Sequence, residues 1–380
     1  SGPARRPVAA PKHSGMCRTA RPARRANHTQ GPPGAGSPAH GPCIVVSTDL
    51  FSVASGFDPR LLVARVPPAC RRPIDPASMP IRDGADVVLE SPAWIPRTDA
   101  IHFVPSFSAL ADDATGFRLE LSVRDGDAWC PWVAAAPVGP GDFAPLPPPS
   151  SSEDRLACDV DVFTARAPVH AVRLRVRLAA ASAPRVLAAP WLLALSVWDR
   201  RPLPAAGAPP GARVALTVPA ASQMDAPAAI ARRICSPASV AMVLRYWGGV
   251  ADPVTVAAEV FDAPLDRYGV WPAAIRVAAR RGLLGYLLAF PDWASAAWCL
   301  EGGMPVVASL RYAAGELPGA PMEATDGHLV VLTGCEGNDV LVNDPAAPSA
   351  GTVPRRYRVE ALERVWLARA AVGYVFFRLA

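Results

Sequence analysis

Residues 172–178 alternate strictly between apolar and arginine side chains, and this alternation constrains the fold more than any other feature of the chain. In a β-strand the apolar side chains would lie on one face and the three arginines on the other. The apolar positions are Val172, Leu174, Val176 and Leu178. Residues 117–124 repeat the same period of two. Because turn-forming segments separate such runs and no long segment shows a helical period, we predict an all-β sandwich domain over residues 43–200.

Two further segments are rich in proline and lack any periodic apolar pattern. Residues 1–42 are predicted to be a disordered, basic, Pro/Arg-rich tail, and residues 201–212 are predicted to be a Pro/Ala/Gly linker. The first 48 residues carry a charge of +7, whereas the whole chain carries +5, so the rest carries −2. The folded part is therefore not expected to bind nucleic acid.

The pattern changes after the linker, where apolar residues recur with a helical period. Residues 237–247 carry one apolar stripe, begin with Pro237 and end at a glycine pair, which predicts a helix. Further helices are predicted near 271–281 and 292–302. Short apolar runs that predict strands follow at 305–310, 328–333, 340–342 and 374–378. Residues 213–380 are thus predicted to form an α+β domain that folds independently of the β-sandwich.

Cys235 and His328 are the candidate reactive residues of this domain. Cys235 immediately precedes the helix that starts at Ser236, and a helix N-terminus favours the thiolate form of cysteine. His328 is the one histidine after residue 200, so any imidazole base in the domain must be His328. Cys299 and Cys335 lack the helix-start context and are interpreted as buried structural thiols.

Asp344 and Gln223 are candidates to support this pair. A hairpin through residues 334–339 would bring the strand that ends before Asp344 beside the strand of His328, where a carboxylate could orient the imidazole. Asn343 could take that role instead, but neighbouring residues on a strand point to opposite faces, so only one of the two can. Gln223 could offer a side-chain amide to an oxyanion.

In their order along the chain, these residues resemble the bacteriocin-processing type of cysteine peptidase in the papain superfamily. The matching segments are VPAASQMD (218–225), ICSPASVAMVLRYWGG (234–249), DGHLVVLTGCEGNDVLVNDPAA (326–347) and VGYVFF (372–377). The resemblance implies a papain-like fold for residues 213–380, behind a β-rich N-terminal region. It also implies that Cys235 is the nucleophile, His328 the base, Asp344 the residue that orients His328, and Gln223 the oxyanion donor.

The expected function is therefore a thiol amide hydrolase that cleaves peptide bonds in a peptide or protein substrate. Three alternatives stay open. Ile234 and Ser236 replace glycines that usually flank the nucleophile, which is compatible with a non-catalytic peptide-binding module on the same fold. The same triad could serve an acyltransferase or amidase. The β-sandwich could instead bind a glycan or a cell surface through Trp129 and Trp132, although a core position is the more common role of such tryptophans.

The chain shows no sequence feature of a cofactor or metal site. Its eight cysteines form no CxxC pair and no Cys/His cluster with zinc spacing. The longest apolar run covers residues 186–198 and contains Pro190, which is shorter than the ~20 residues of a spanning helix, so no transmembrane segment is expected. No signal peptide is visible in residues 1–42; an extracytoplasmic or secreted location is favoured, and the oligomeric state is left open.

Overall fold

The computed structural model describes residues 47–82, 84, 86–111, 115–143, 146, 155–199 and 213–379. The tail predicted for residues 1–42 and the linker predicted for residues 201–212 lie outside these described residues. Residues 44–380 group into one compact unit. Within this unit, the N-terminal region denotes described residues 47–199 and the C-terminal region denotes residues 213–379.

The described part of the N-terminal region consists mainly of strands. These are β1 (Thr48–Ser55), β2 (Arg71–Ile74), β3 (Ile81–Arg82), β4 (Asp86–Glu90), β5 (Ala100–Ala109), β6 (Phe117–Asp125), β7 (Ala128–Trp129), β8 (Val133–Ala134), β9 (Leu156–Asp159), β10 (Val162–Val169), β11 (Ala171–Ala179) and β12 (Trp191–Trp198). Two short helices accompany them, α1 (Pro59–Val63) and α2 (Ala183–Ala188).

These strands form two sheets that share one hydrophobic core. The first sheet has the order β2-β1-β12-β5-β10-β9, and the second has the order β3-β4-β11-β6-β7 with β8 beside β6. Phe103 and Phe107 of the first sheet pack in the same buried cluster as Leu121 and Leu174 of the second. The strands predicted from the alternating patterns are confirmed as β6 and β11, which are antiparallel neighbours.

The C-terminal region mixes helices with a seven-stranded sheet. Its elements are β13 (Arg213–Ala215), α3 (Cys235–Tyr246), α4 (Pro253–Val260), α5 (Trp271–Ala279), β14 (Leu284–Ala289), α6 (Trp293–Glu301), β15 (Val306–Tyr312), β16 (Thr325–Glu336), β17 (Asp339–Asn343), β18 (Pro354–Arg358), α7 (Val359–Leu362) and β19 (Val372–Phe377). The sheet order is β14-β19-β15-β16-β17-β18, with β13 beside β16. All of its pairings are antiparallel.

The elements predicted for this region are confirmed, and five further elements, β13, α4, β14, β18 and α7, were not predicted. Helices α3, α5 and α6 and strands β15, β16, β17 and β19 match the predicted segments. Helix α4 was missed although it carries a local start signal, because Asp252 accepts hydrogen bonds from two backbone N–H groups of its first turn and Pro253 follows. Strands β14 and β18 were also missed, and β14 lies between two helices, so the strands do not all follow the helices.

Strand β14 forms the edge of the C-terminal sheet and lies against the first sheet of the N-terminal region. Serine hydroxyls from β5 and β12 bond the backbone groups on its outer edge, as adjacent strands would otherwise do. The pairs are Ser108 with Gly285 (Oγ to O, 3.0 Å), Ser106 with Leu287 (Oγ to N, 3.1 Å) and Ser196 with Ala289 (Oγ to N, 2.9 Å). All three serines are at most 1% exposed. Because an open sheet edge would leave these groups unpaired, the N-terminal region completes the C-terminal sheet.

A second hydrophobic cluster also spans both regions. Leu50, Leu192 and Ala194 of the first sheet pack in one buried cluster with residues of β14 and α6, among them Leu288 and Cys299. This shared core argues against independent folding of residues 213–380. Independent folding of these residues stays a prediction, and expression of the fragment alone would test it.

Candidate active site

Cys235 is the first residue of α3. Pro237 occupies the first turn of this helix, where a missing N–H leaves no helical hydrogen bond unmade. The half-buried thiol of Cys235 accepts hydrogen bonds from the backbone N–H groups of Leu329 and Ser236. These donors and the positive end of the helix dipole stabilise a thiolate at this position.

His328 lies on β16 opposite Leu310 of β15 and is 1% exposed. Its imidazole forms a hydrogen bond with the Cys235 side chain, and its Nε2 lies 2.8 Å from Oδ1 of Asp344. Helix α3 is tied to β16 next to this contact, because Ser239 Oγ donates to the carbonyl of Leu329 at 3.1 Å. Cys235, His328 and Asp344 are therefore joined in one hydrogen-bonded series.

Asp344 immediately follows β17 and is fully buried. Besides His328, its carboxylate accepts hydrogen bonds from the Tyr357 hydroxyl at 2.7 Å and from the Ala346 N–H at 3.0 Å. The neighbouring Asn343 turns away, because its Nδ2 donates to the carbonyl of Val218 at 3.0 Å. The opposite orientation of neighbouring strand residues thus directs the aspartate, and not the asparagine, to the imidazole.

The charges of this series support one another. Burial raises the pKa of Cys235, but the hydrogen bond and charge of His328 outweigh burial, so the pKa lies below its usual value. Burial lowers the pKa of His328, but its hydrogen bonds to Asp344 and Cys235 raise it to about 10. Burial likewise opposes the Asp344 carboxylate, and its hydrogen bond to His328 holds its pKa below the usual value. The three directions favour a thiolate beside an imidazolium and a carboxylate.

Gln223 lies in a short 3-10 helix, Gln223–Asp225, and is 3% exposed. Its backbone N–H donates to the carbonyl of Pro345 at 2.8 Å, which holds Gln223 next to the loop that follows Asp344. Its Nε2 donates one hydrogen to the carbonyl of Ala231 at 2.8 Å. The second hydrogen of this amide has no partner in the hydrogen bonds of the described residues, and the amide oxygen is buried without a partner. Gln223 is not among the residues that line the cavity at Cys235.

A cavity of about 340 Å³ opens at Cys235. Its walls carry two aromatic side chains, Tyr268 and Trp271, and several charged ones. The charged residues are Arg233, Arg267, Arg311, Asp266 and Asp326. Sequence reasoning found neither these residues nor Tyr357, because no local motif marks them and all except Arg233 lie far from Cys235 along the chain. A cleft of this size is typical of small-ligand or peptide binding.

The two other cysteines of the C-terminal region lie in surroundings that do not favour a reactive thiolate. Cys299 is 0% exposed and Cys335 is 2% exposed. Burial raises the pKa of Cys299, and burial also raises that of Cys335. Within the described part of the chain, no cluster of three or more His, Cys, Asp or Glu side chains could hold a metal ion.

The arginine face of β11 and the tryptophans of the glycan hypothesis contact one another. The Arg173 guanidinium lies 4.1 Å from the ring centroid of Trp129, and the Arg175 guanidinium lies 4.2 Å from that of Trp132. The arginines of this face also bind the buried carboxylate of Glu120. Cation–π stacking therefore occupies one face of each of these rings.

Comparison with known proteins identifies the C-terminal region. Residues 215–374 match the model of the Peptidase_C39-like family, which confirms the resemblance to bacteriocin-processing cysteine peptidases. No curated protein matches the sequence.

Two solved structures resemble this part of the chain. One is a double glycine motif protease from an AMS/PCAT transporter in complex with its leader peptide, with 17% identity over 44% of this chain and 99% of that chain, at a TM-score of 0.29. The other is a putative C39-like peptidase from Bacillus anthracis, with 20% identity over 44% of this chain and 98% of that chain, at a TM-score of 0.35.

Among the described residues, no helix combines the length and the apolar content that crossing a bilayer requires.

Proposed function

We propose that the chain is a cysteine peptidase in which Cys235, His328 and Asp344 form the catalytic triad. The observation that carries this proposal is the buried hydrogen-bonded series at the N-terminus of α3, which ends at a cavity large enough for a peptide. The family match over residues 215–374 supports cysteine peptidase activity in general.

In the proposed first step, the Cys235 thiolate attacks the carbonyl carbon of the scissile amide. His328 Nε2 is engaged with Asp344, so Nδ1 is the nitrogen that faces the thiol and carries the transferred proton. The C–N bond breaks as the imidazolium protonates the leaving amine, which leaves a thioester on Cys235. Water, deprotonated by the now neutral His328, then attacks the thioester, and the carboxylic acid product leaves as the thiol is restored.

Gln223 and the N–H of Cys235 are proposed to bind the oxyanion that develops on the carbonyl oxygen. The Gln223 amide retains one hydrogen beyond its bond to Ala231, and Cys235 lies at the helix end, where backbone N–H groups have no helical acceptor. Loss of one oxyanion donor typically lowers kcat by about 10²–10³-fold. A Gln223→Ala variant should therefore keep Cys235 reactive while it loses most of its turnover.

The proposal is tested by alkylation and by cleavage. Cys235 should react with iodoacetamide near pH 6 faster than Cys299 or Cys335, with the modified peptides quantified by mass spectrometry. Cleavage of denatured casein should be lost in Cys235→Ala and retained in the matched Cys335→Ala variant. Equal alkylation of the three thiols would contradict an activated Cys235. Fast alkylation of Cys235 without any casein cleavage would indicate acyl transfer to a non-peptide substrate instead.

A further inference from the structure

A second cavity, of about 550 Å³, lies beside the Cys235 cavity. Its walls come from both regions of the chain. The N-terminal region contributes His102, Asp159, Val162, Thr164 and Trp198. The C-terminal region contributes Arg369 and Val372, together with Trp271, Arg311 and Ala370, and the last three residues also line the Cys235 cavity. The two cavities are therefore neighbours that share three lining residues, and the N-terminal region forms the far wall of the second cavity.

Contacts between the two regions fix the wall that the cavities share. The backbone N–H of Trp271 donates to the buried carboxylate of Asp161, in the turn between β9 and β10, at 2.6 Å. One helical turn further along α5, Arg276 Nε donates to the carbonyl of Thr115 at 2.5 Å. The Trp271 ring also packs edge-on against Tyr374, which shares a 3.2 Å hydrogen bond with Ser236. The N-terminal region thus holds Trp271 in place next to Cys235.

The second cavity is lined by aromatic and aliphatic side chains together with two arginines, Asp159 and Thr164. The ring of Trp198 lies 5.3 Å from that of His102, whose Nδ1 is 3.4 Å from Thr164 Oγ1. Val162, Trp271, Ala370 and Val372 complete the apolar lining. Such a lining favours an aromatic side chain, which can bury a large apolar area against other rings.

Two arginines lie at this cavity, and their surroundings differ. Arg369 is paired with Glu316 at 2.6 Å. The exposed Arg311 donates through Nε to the carbonyl of Asp326 at 2.9 Å, and its guanidinium makes no ion pair with any described residue. Arg311 lies on the shared wall, so its remaining N–H groups can bind a backbone carbonyl of a peptide that crosses from one cavity to the other.

We propose that the second cavity is a substrate subsite that binds an aromatic side chain of the peptide cleaved at Cys235, with Arg311 on the peptide backbone between the two cavities. This inference rests on the proposed peptidase function and deepens it. The N-terminal region is then part of the substrate-binding cleft, and it determines which peptides are cleaved.

The subsite is tested by filling it from the N-terminal side with Thr164→Trp. Thr164 is half-buried and lines the second cavity but not the cavity at Cys235. The matched control is Ala77→Trp, which also introduces a tryptophan, at an exposed position of the same region. Wild type and both variants are incubated with a random library of synthetic dodecapeptides, and the cleaved bonds are mapped by mass spectrometry. The alkylation rate of Cys235 by iodoacetamide is measured in parallel.

Wild type and Ala77→Trp should enrich Phe, Tyr or Trp at one fixed position relative to the cleaved bond. Thr164→Trp should lose this enrichment and cleave such peptides at least ~10-fold more slowly, within the range for a lost apolar pocket contact. Its Cys235 alkylation rate should be unchanged. If Thr164→Trp does not fold, Thr164→Arg provides the same test with a charged side chain in the cavity.

The two levels of the proposal fail in different ways. A wild-type chain that cleaves the library without aromatic preference, or a folded variant that keeps this preference, would overturn the subsite and leave the peptidase intact. A wild-type chain that cleaves no peptide and whose Cys235 is alkylated no faster than Cys299 would overturn the proposed function, and the subsite with it.

Discussion

Replacing Ser196 with alanine should destabilise the C-terminal region, although Ser196 belongs to the N-terminal region. Ser196 Oγ accepts the N–H of Ala289 on β14 at 2.9 Å and is fully buried. Alanine at this position would leave the N–H of Ala289 buried without an acceptor, because no water reaches it.

The expected loss in the free energy of unfolding is about 1–3 kcal/mol, the usual cost of a buried polar group that loses its partner. Ser108→Ala should cost more than Ser196→Ala, because Ser108 bonds both the N–H and the carbonyl of Gly285. The control is Ser78→Ala. Ser78 is exposed, its hydroxyl donates to the carbonyl of Asp75, and water can replace this bond, so a change within about 0.5 kcal/mol is expected.

The assay is urea unfolding followed by pulsed alkylation of two buried thiols that report on different regions. Cys130 lies in the core of the two N-terminal sheets, and Cys299 lies on α6 in the core shared by both regions. If the regions unfold as one cooperative unit, both thiols become accessible in one transition, and Ser196→Ala moves that transition to lower urea for both.

Two results would refute this reasoning. The first is a change below about 0.5 kcal/mol in Ser196→Ala, which would mean that the N–H of Ala289 finds another partner. The second is a transition of Cys299 that stays at the wild-type urea concentration while that of Cys130 moves, which would show that the regions unfold separately.

Three further predictions concern the site and the contact between the regions. Tyr357→Phe removes a donor from Asp344, so the pKa of Asp344 should rise and the pH profile of Cys235 alkylation should shift to higher pH; an unchanged profile would exclude a positioning role for Tyr357. Burial raises the pKa of Asp161 from 3.8 to about 7, so the folded chain keeps a proton that the unfolded chain loses. The free energy of unfolding should therefore fall by on the order of a few kcal/mol as the pH rises from 3.8 to about 7. Urea unfolding of Asp161→Asn should show a smaller fall over the same pH range. Residues 213–380 expressed alone should be insoluble or unfolded because β14 loses its serine partners; a soluble fragment with a fast-reacting Cys235 would contradict this.

Local patterns determined the elements that carry the site. The apolar stripe after Pro237 predicted α3, and the short apolar runs around His328 and before Asp344 predicted the hairpin of β16 and β17. These predictions succeeded because periodicity, helix-start residues and turn residues act over a few positions, so they are readable from neighbouring residues. The same local rule states that Asp344 and Asn343 cannot both face His328, whereas the tertiary structure decides that Asp344 does.

Other features depend on residues that are far apart in the chain. Tyr357 bonds Asp344, Asp161 bonds Trp271, and the serines of β5 and β12 bond the edge of β14. No local pattern marks these residues, because a hydroxyl or carboxylate acquires its partner only when separate strands and helices pack together. Tryptophans 129 and 132 illustrate the same limit, since their stacking on arginines of another strand depends on how β6, β7 and β11 pair.

By itself, the sequence determined that a thiol lies at a helix start and that one histidine begins a buried strand. It also determined that a β-rich region is joined to an α+β region near residue 200. The tertiary structure alone decided that these two regions share a core and line one cavity. The physical reason is that a helix start or a strand is specified by residues that are close in the chain. By contrast, the outer hydrogen-bond partners of an edge strand come from the surface that packs against it, and so do the walls of a cavity.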